Sequence, residues 1–301
     1  NGYFRFWSES NVKGCWLECN RTSNYLLPKN SKTTMIHYLI FNLIIAHIVG
    51  DFYLQTKKSC ENKFLYSAKG KSLWLHSFIM GVLSWIAIWD FRGWWLALGI
   101  MVAHFLTDWL KAYLQLKMGI LTTNAQKEVI PGGCKRNDLW IFLADQFVHI
   151  AIIVAGAYIW FSAYSHWNND WRLPECLQEF IINHPLRLKT MVGLLLALKP
   201  ANILILLILE TCKVNINPRK NDEHGNFHSG ELIGWLERGL ILVFVIMSQY
   251  EAIGFLIAAK SILRFSEASK GDEKSEYVLT GTLLSLAIAL CLGIIVLKMH
   301  L

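Results

Sequence analysis

Four stretches of this chain, 38–50, 140–163, 190–209 and 278–297, are apolar over a length that crosses, or nearly crosses, a lipid bilayer. A helix rises 1.5 Å per residue, so about 20 apolar residues span a hydrocarbon core of about 30 Å. Within that core each backbone polar group needs a partner from the chain itself, which a helix supplies locally. Composition agrees: of 301 residues 54% are hydrophobic and 17% charged, with 13 Trp and 16 Phe. A soluble domain carries about 25% charged residues. The pattern predicts an all-α polytopic membrane bundle of about eight transmembrane helices.

The expected spans are 35–55, 72–90, 93–116, 138–163, 189–210, 232–248, 250–265 and 275–298. Ser248, Gln249, Tyr250 and Glu251 leave little room for a turn, so one long bent helix could replace the sixth and seventh and make seven. The organisation that follows is a four-helix membrane domain at 35–163, an extracytoplasmic loop at 164–188 and a C-terminal membrane domain at 189–301 with a cytoplasmic loop at 211–231. Residues 1–34 are polar and aromatic without periodicity. They read as an upstream extension with Met35 as the natural start, or as a periplasmic tail held by Cys15 and Cys19. Seven cysteines without CxxC spacing give no legible disulfide framework.

The net charge of +7 does not point to nucleic acid, because the positive residues lie in loops between apolar segments. Alternate connections hold most of them: Lys57, Lys58, Lys63, Lys69 and Lys71; Lys117, Lys127, Lys135 and Arg136; Lys213, Arg219 and Lys220; Lys270 and Lys274. The positive-inside rule turns these connections to the cytoplasm and both termini outward. The expected location is a bacterial inner (cytoplasmic) membrane, with lipids as partners and no nucleic acid.

Against this apolar background stand His47 and Asp51, His76, His104 and Asp108, and Asp145 and His149. Three of these pairs are spaced i, i+4, so each pair shares a helix face. Ionisable groups at membrane depth are costly and mark a functional site by default. The orientation places all seven in the cytoplasmic half of the bundle at similar depth.

Imidazole and carboxylate suit a divalent ion, Zn or Mn for hydrolytic work, and seven groups suffice for one or two ions. His47, Asp51, His104, Asp108, Asp145 and His149 are the expected ligands, and His76 a ligand or general base. Gln55 and Gln146 are placed to orient a ligand or water. A metal-free polar network and a proton or ion pathway are the alternatives. His37, alone in its span, reads as a helix contact or interfacial residue.

In the second half, Lys199 precedes Pro200, which frees a carbonyl and kinks a helix. Glu237 and Arg238 start the sixth span, and Lys260 and Arg264 end the seventh. Lysine and arginine at span ends commonly snorkel to headgroups. The functional reading makes Lys199, Arg238, Lys260 and Arg264 a basic pocket for an anion. His224 and His228 lie in a polar loop and read as solvated.

The segment His47-Ile48-Val49-Gly50-Asp51-Phe52-Tyr53-Leu54-Gln55-Thr56, with His104-Phe105-Leu106-Thr107-Asp108 and Asp145-Gln146-Phe147-Val148-His149, resembles the uncharacterised bacterial membrane family called domain of unknown function 3307. The likeness covers about 40–160. Ile233 to Arg238, Ala259 to Ser261, and Arg264-Phe265 resemble the companion region of longer members. In that family the domain starts close to the His–Gly–Asp segment, in keeping with a start at Met35. The family brings no settled activity. The pattern is also loosely similar to inner-membrane proteins described as metal-dependent hydrolases, and a shared fold would leave function open.

Three functions compete. One is a metal-dependent hydrolase acting at the cytoplasmic leaflet on a phosphorylated lipid or similar amphiphile. The second is a transporter or ion pathway that uses the same groups. The third is a non-catalytic membrane partner whose polar core fixes helix packing. Nothing in the sequence sets an oligomeric state.

Overall fold

The computed structural model describes residues 31–66, 70–117, 121–123, 129–131, 136–167, 185–212, 229–268 and 272–298. Residues 1–30, most of the expected loop at 164–188, and the stretch with His224 and His228 lie outside the described residues.

The chain is helical, as its patterning predicts. Helix α1 runs over Ser31–Ile48 and continues as a π-helical turn, Val49–Leu54. Then come α2 (Lys57–Tyr66), α3 (Lys71–Ile88), α4 (Trp94–Lys117) and α5 (Arg136–Trp167). The second half holds α6 (Pro185–Ala197), α7 (Lys199–Thr211), α8 (Ser229–Ile246), α9 (Tyr250–Ala268) and α10 (Asp272–Lys298). A short antiparallel hairpin, β1 (Leu121–Thr123) with β2 (Val129–Pro131), lies between α4 and α5.

Local chemistry sets the boundaries. Trp89 closes α3 in the left-handed region at φ 56°. Asp90 then caps the next turn, its carboxylate accepting from the Arg92 N–H at 2.8 Å. The expected fifth span is two helices that break at Leu198, ψ −96°, ahead of Pro200. Pro200 has no N–H to give the carbonyl of Leu196 four residues back, and its ring crowds that carbonyl. The sixth and seventh spans are separate helices rather than one bent one. Ser248 adopts φ 57° between them, a conformation that ends a helix. Helix α2 and the hairpin fall in connections where no element was expected.

Five stretches are long and apolar enough to cross a membrane: Ile36–Leu54, Lys71–Ile88, Asp138–Ala163, Leu188–Thr211 and Leu279–Lys298. The other three expected spans also form helices, but more polar ones. Helix α4 carries Asp108, Lys111 and Lys117; α8 carries Glu231, Glu237 and Arg238; α9 carries Glu251, Lys260, Arg264 and Glu267.

Apolar side chains also cover the outside. Trp74, Trp109, Tyr113 and Trp140 are exposed toward one end of the first four long helices, and Trp85, Trp89, Phe91, Trp94 and Trp95 toward the other. Two aromatic girdles of this kind are compatible with the two interfaces of a bilayer.

Inside, the same helices form a core with two ends. Leu39, Leu43 and Ala46 of α1, Ala87 and Ile88 of α3, Leu96, Ala97 and Ile100 of α4, and Ile153, Ala157 and Trp160 of α5 pack as one apolar cluster. Helices α1 and α4 run from this cluster into histidine and aspartate, and α3 and α5 reach it from them. A smaller apolar core joins Ile241 and Val245 of α8, Ile253 of α9 and Ala289 of α10.

Candidate metal centre

All seven predicted residues meet at the polar end of the first bundle. His47, His76, His104 and His149 are at most 4% exposed, and Asp108 and Asp145 are buried. The Asp51 side chain is 10% exposed. Helix α1 supplies His47, its π-helical turn Asp51, α3 His76, α4 His104 and Asp108, and α5 Asp145 and His149. Histidines and aspartates four residues apart on straight helices reach one level because each pair spans about one turn.

The π-helical turn is the irregular part. Such turns insert a residue into a helix and recur at functional sites. Gly50 lies within it, and a Cβ there would stand 2.1 Å from Met80 Sδ. The absent side chain allows α3 to approach, and with it His76.

Three ligand atoms converge. His76 Nε2 lies 2.9 Å from His104 Nε2 and 3.1 Å from Asp51 Oδ1. His104 Nε2 lies 3.4 Å from Asp51 Oδ1. Bonds of about 2.0–2.1 Å to a tetrahedral zinc set ligand atoms about 3.3 Å apart, so this triangle matches the face of such a site. Two imidazoles and one carboxylate are a donor set that zinc or manganese accepts. Asp108 Oδ2 stands next to the triangle, 3.7 Å from each of the two Nε2 atoms.

The surroundings hold these groups in place. His149 Nδ1 donates to the Asp145 carbonyl at 2.9 Å, and its Nε2 lies 2.7 Å from Thr107 Oγ1. A ring nitrogen fixed by a backbone carbonyl is a recurring support for a metal-binding histidine. The Gln146 amide donates to Asp51 Oδ2 at 3.2 Å and to Asp145 Oδ2 at 3.3 Å. Gln55 ends the π-helical turn in extended backbone, φ −83° and ψ 124°.

Two cations at the site escaped the sequence reading as site residues. Lys63, a buried residue of α2, reaches Asp108 Oδ2 at 2.5 Å. Lys111 of α4 reaches Asp145 Oδ2 at 2.7 Å. Thr107 was missed as well. The one available signal was the position of Lys111 one turn after Asp108.

Of the four basic residues expected to bind an anion, the three with described side chains make other contacts. Arg238 is buried, its Nε donating to the Ala197 carbonyl at 2.6 Å and its Nη2 to the Leu198 carbonyl at 3.3 Å. Its remaining contacts are Ser285 Oγ at 3.3 Å and Asn202 Oδ1 at 3.5 Å. It thus satisfies the carbonyls at the break between α6 and α7. Lys260 pairs with Glu237 across α8 and α9. Lys199 alone of the set is seen against the first half, its Nζ 5.3 Å from the centroid of the Tyr53 ring. Arg264 belongs to α9, and its side chain is outside the described set.

Comparison with known proteins agrees with the resemblance read from these motifs. No curated protein matches the chain, and no solved structure does. Residues 39–173, which carry all seven converging side chains, match the family described as "Protein of unknown function (DUF3307)".

Proposed function

We propose that this protein is a membrane-embedded metal-dependent hydrolase acting on a phosphorylated lipid or a similar amphiphile at the cytoplasmic leaflet. The triangle of Asp51 Oδ1, His76 Nε2 and His104 Nε2 carries this reading. Three protein ligands leave a coordination position for water or substrate, the arrangement of catalytic rather than structural sites. A bound divalent ion would supply a water acidic enough to serve as nucleophile near neutral pH.

The chain's own residues provide the rest. Asp108 stands beside the triangle, where it can accept a proton from a water. Lys63 and Lys111 bring positive charge to the same place, which favours an anionic substrate over a neutral one. His76 serves as a ligand in this scheme, the first of its two expected roles. Substrate class follows from depth. The aromatic girdle with Trp74, Trp109 and Trp140 belongs to the end where the cluster lies, within reach of lipid headgroups. The cytoplasmic side follows from the lysine-rich connections, and the eight-helix topology from adding α4, α8 and α9 to the five most apolar spans.

A broken helix such as the one at Pro200 would suit the transporter alternative. With Arg238 on the Ala197 carbonyl and the Asn202 N–H on that of Leu198, the carbonyls at that break are taken by the protein itself.

The test is phosphate release from phosphorylated amphiphiles by Mn- or Zn-loaded protein in detergent. Release from wild type that is lost in His104→Ala and Asp108→Asn supports the reading. Metal-loaded protein that releases nothing, yet moves ions or solute across vesicles, overturns it.

A further inference from the structure

We infer that the centre has a second cation position, formed by His47, Asp51 Oδ2 and His149, so that the Asp51 carboxylate bridges two ions. The inference rests on the metal reading above and adds a site to it.

The two oxygens of Asp51 face different partners. Oδ1 belongs to the His76 and His104 triangle. Oδ2 faces the other way, 3.7 Å from His47 Nε2 and 3.2 Å from the Gln146 amide. A carboxylate that presents one oxygen to each of two ligand groups is the bridge of a dinuclear centre in a helical bundle.

His47 supplies the second observation. It is 3% exposed, and its Nε2 is buried without a hydrogen bond of standard geometry, the Gln146 side chain standing in weak hydrogen-bond reach of the ring. Buried polar atoms are nearly always paired, and an exception calls for a physical reason. The nitrogen points among ligand-type groups: His47, Asp51 and His149 offer donor atoms within 4.8 Å of one another, as Asp51, His76 and His104 do. The His47 and His149 rings lie 5.1 Å apart. If His149 Nε2 turns to a cation, Thr107 Oγ1 can keep its hydrogen bond to a carbonyl, of Ala103 at 3.1 Å or His104 at 3.0 Å.

Charge decides what accompanies the second ion. Asp51, Asp108 and Asp145 face Lys63 and Lys111, three carboxylates against two ammonium groups, one negative charge in excess. One divalent ion reverses that excess, and a second makes the pocket strongly positive. An anion such as phosphate then becomes part of the stable state, because buried like charges need compensation. Two ions sharing a phosphoryl group is the arrangement used for in-line displacement at phosphorus.

The experiment uses full-length protein in detergent, stripped of metal and reloaded with saturating Mn(II) in inorganic phosphate. Metal content and electron paramagnetic resonance are read together. The expected result is two ions per chain with a spin-coupled spectrum, falling to one uncoupled ion in His47→Ala. One ion per chain with an isolated-Mn spectrum in wild type overturns the second position and leaves the first. Two ions retained in His47→Ala also overturn it. No Mn in wild type overturns both positions. The coupling is read on wild type, so the test survives a variant that does not fold.

Discussion

Asp108 shows how much of this site is decided by a single pairing. Its carboxylate is buried beside two imidazoles, and Lys63 holds it from a different helix. Removing one partner of a buried ion pair costs about 3–5 kcal/mol, because the other charge stays behind. Lys63→Met is therefore expected to destabilise the metal-free protein by about that amount, read from unfolding in detergent, and to destabilise metal-loaded protein less. A loss below about 1 kcal/mol would mean the pair behaves as a solvated one. Gln146 tests support rather than charge. Gln146→Ala should keep the fold and weaken metal binding about 10–100-fold in chelator competition. Sequence showed the histidines and aspartates because a helix places i and i+4 on one face. It could not show which carboxylates Lys63 and Lys111 pair with, since those partners lie 45 and 34 residues away on other helices. No spacing rule encodes such a pairing.

At the scale of elements, two irregularities matter more than the regular helices. The π-helical turn at Val49–Leu54 places Asp51 against α3 and α5, and Gly50 makes that approach sterically feasible. Gly50→Ala pushes a methyl group into Met80 and should cost about 1–3 kcal/mol by thermal unfolding. Adding Met80→Ala should recover part of that loss, whereas strict additivity would remove the steric explanation. The second irregularity is the break before Pro200. There Arg238 takes the Ala197 carbonyl, while that of Leu198 also keeps the Asn202 N–H at 3.2 Å, so Arg238→Ala should cost about 1–3 kcal/mol for the one orphaned carbonyl of Ala197. Unchanged stability would show that another group takes it over. The proline made the break legible in sequence. The role of Arg238 was not legible, because an arginine near a span end usually snorkels toward headgroups.

At the scale of the molecule, an apolar core at one end of the first bundle and a polar core at the other turn a stack of helices into a site at one depth. That common depth was readable from loop charges, because adjacent spans run in opposite directions. Two of its features were not. Helix α2 brings Lys63 inward from a connection that sequence counted among surface charges. The Tyr53 hydroxyl, two residues after Asp51, donates to the Leu195 carbonyl at 2.7 Å and ties the second half to the π-helical turn. The central claim is that Asp51, His76 and His104 bind a metal ion. Its most direct measurement is the metal content of protein purified in detergent, wild type beside a His76→Ala/His104→Ala double variant that retains its helical circular dichroism. We expect at least one Zn or Mn per wild-type chain and almost none in the variant. Equal metal in both, or none in wild type after reloading, would contradict the account.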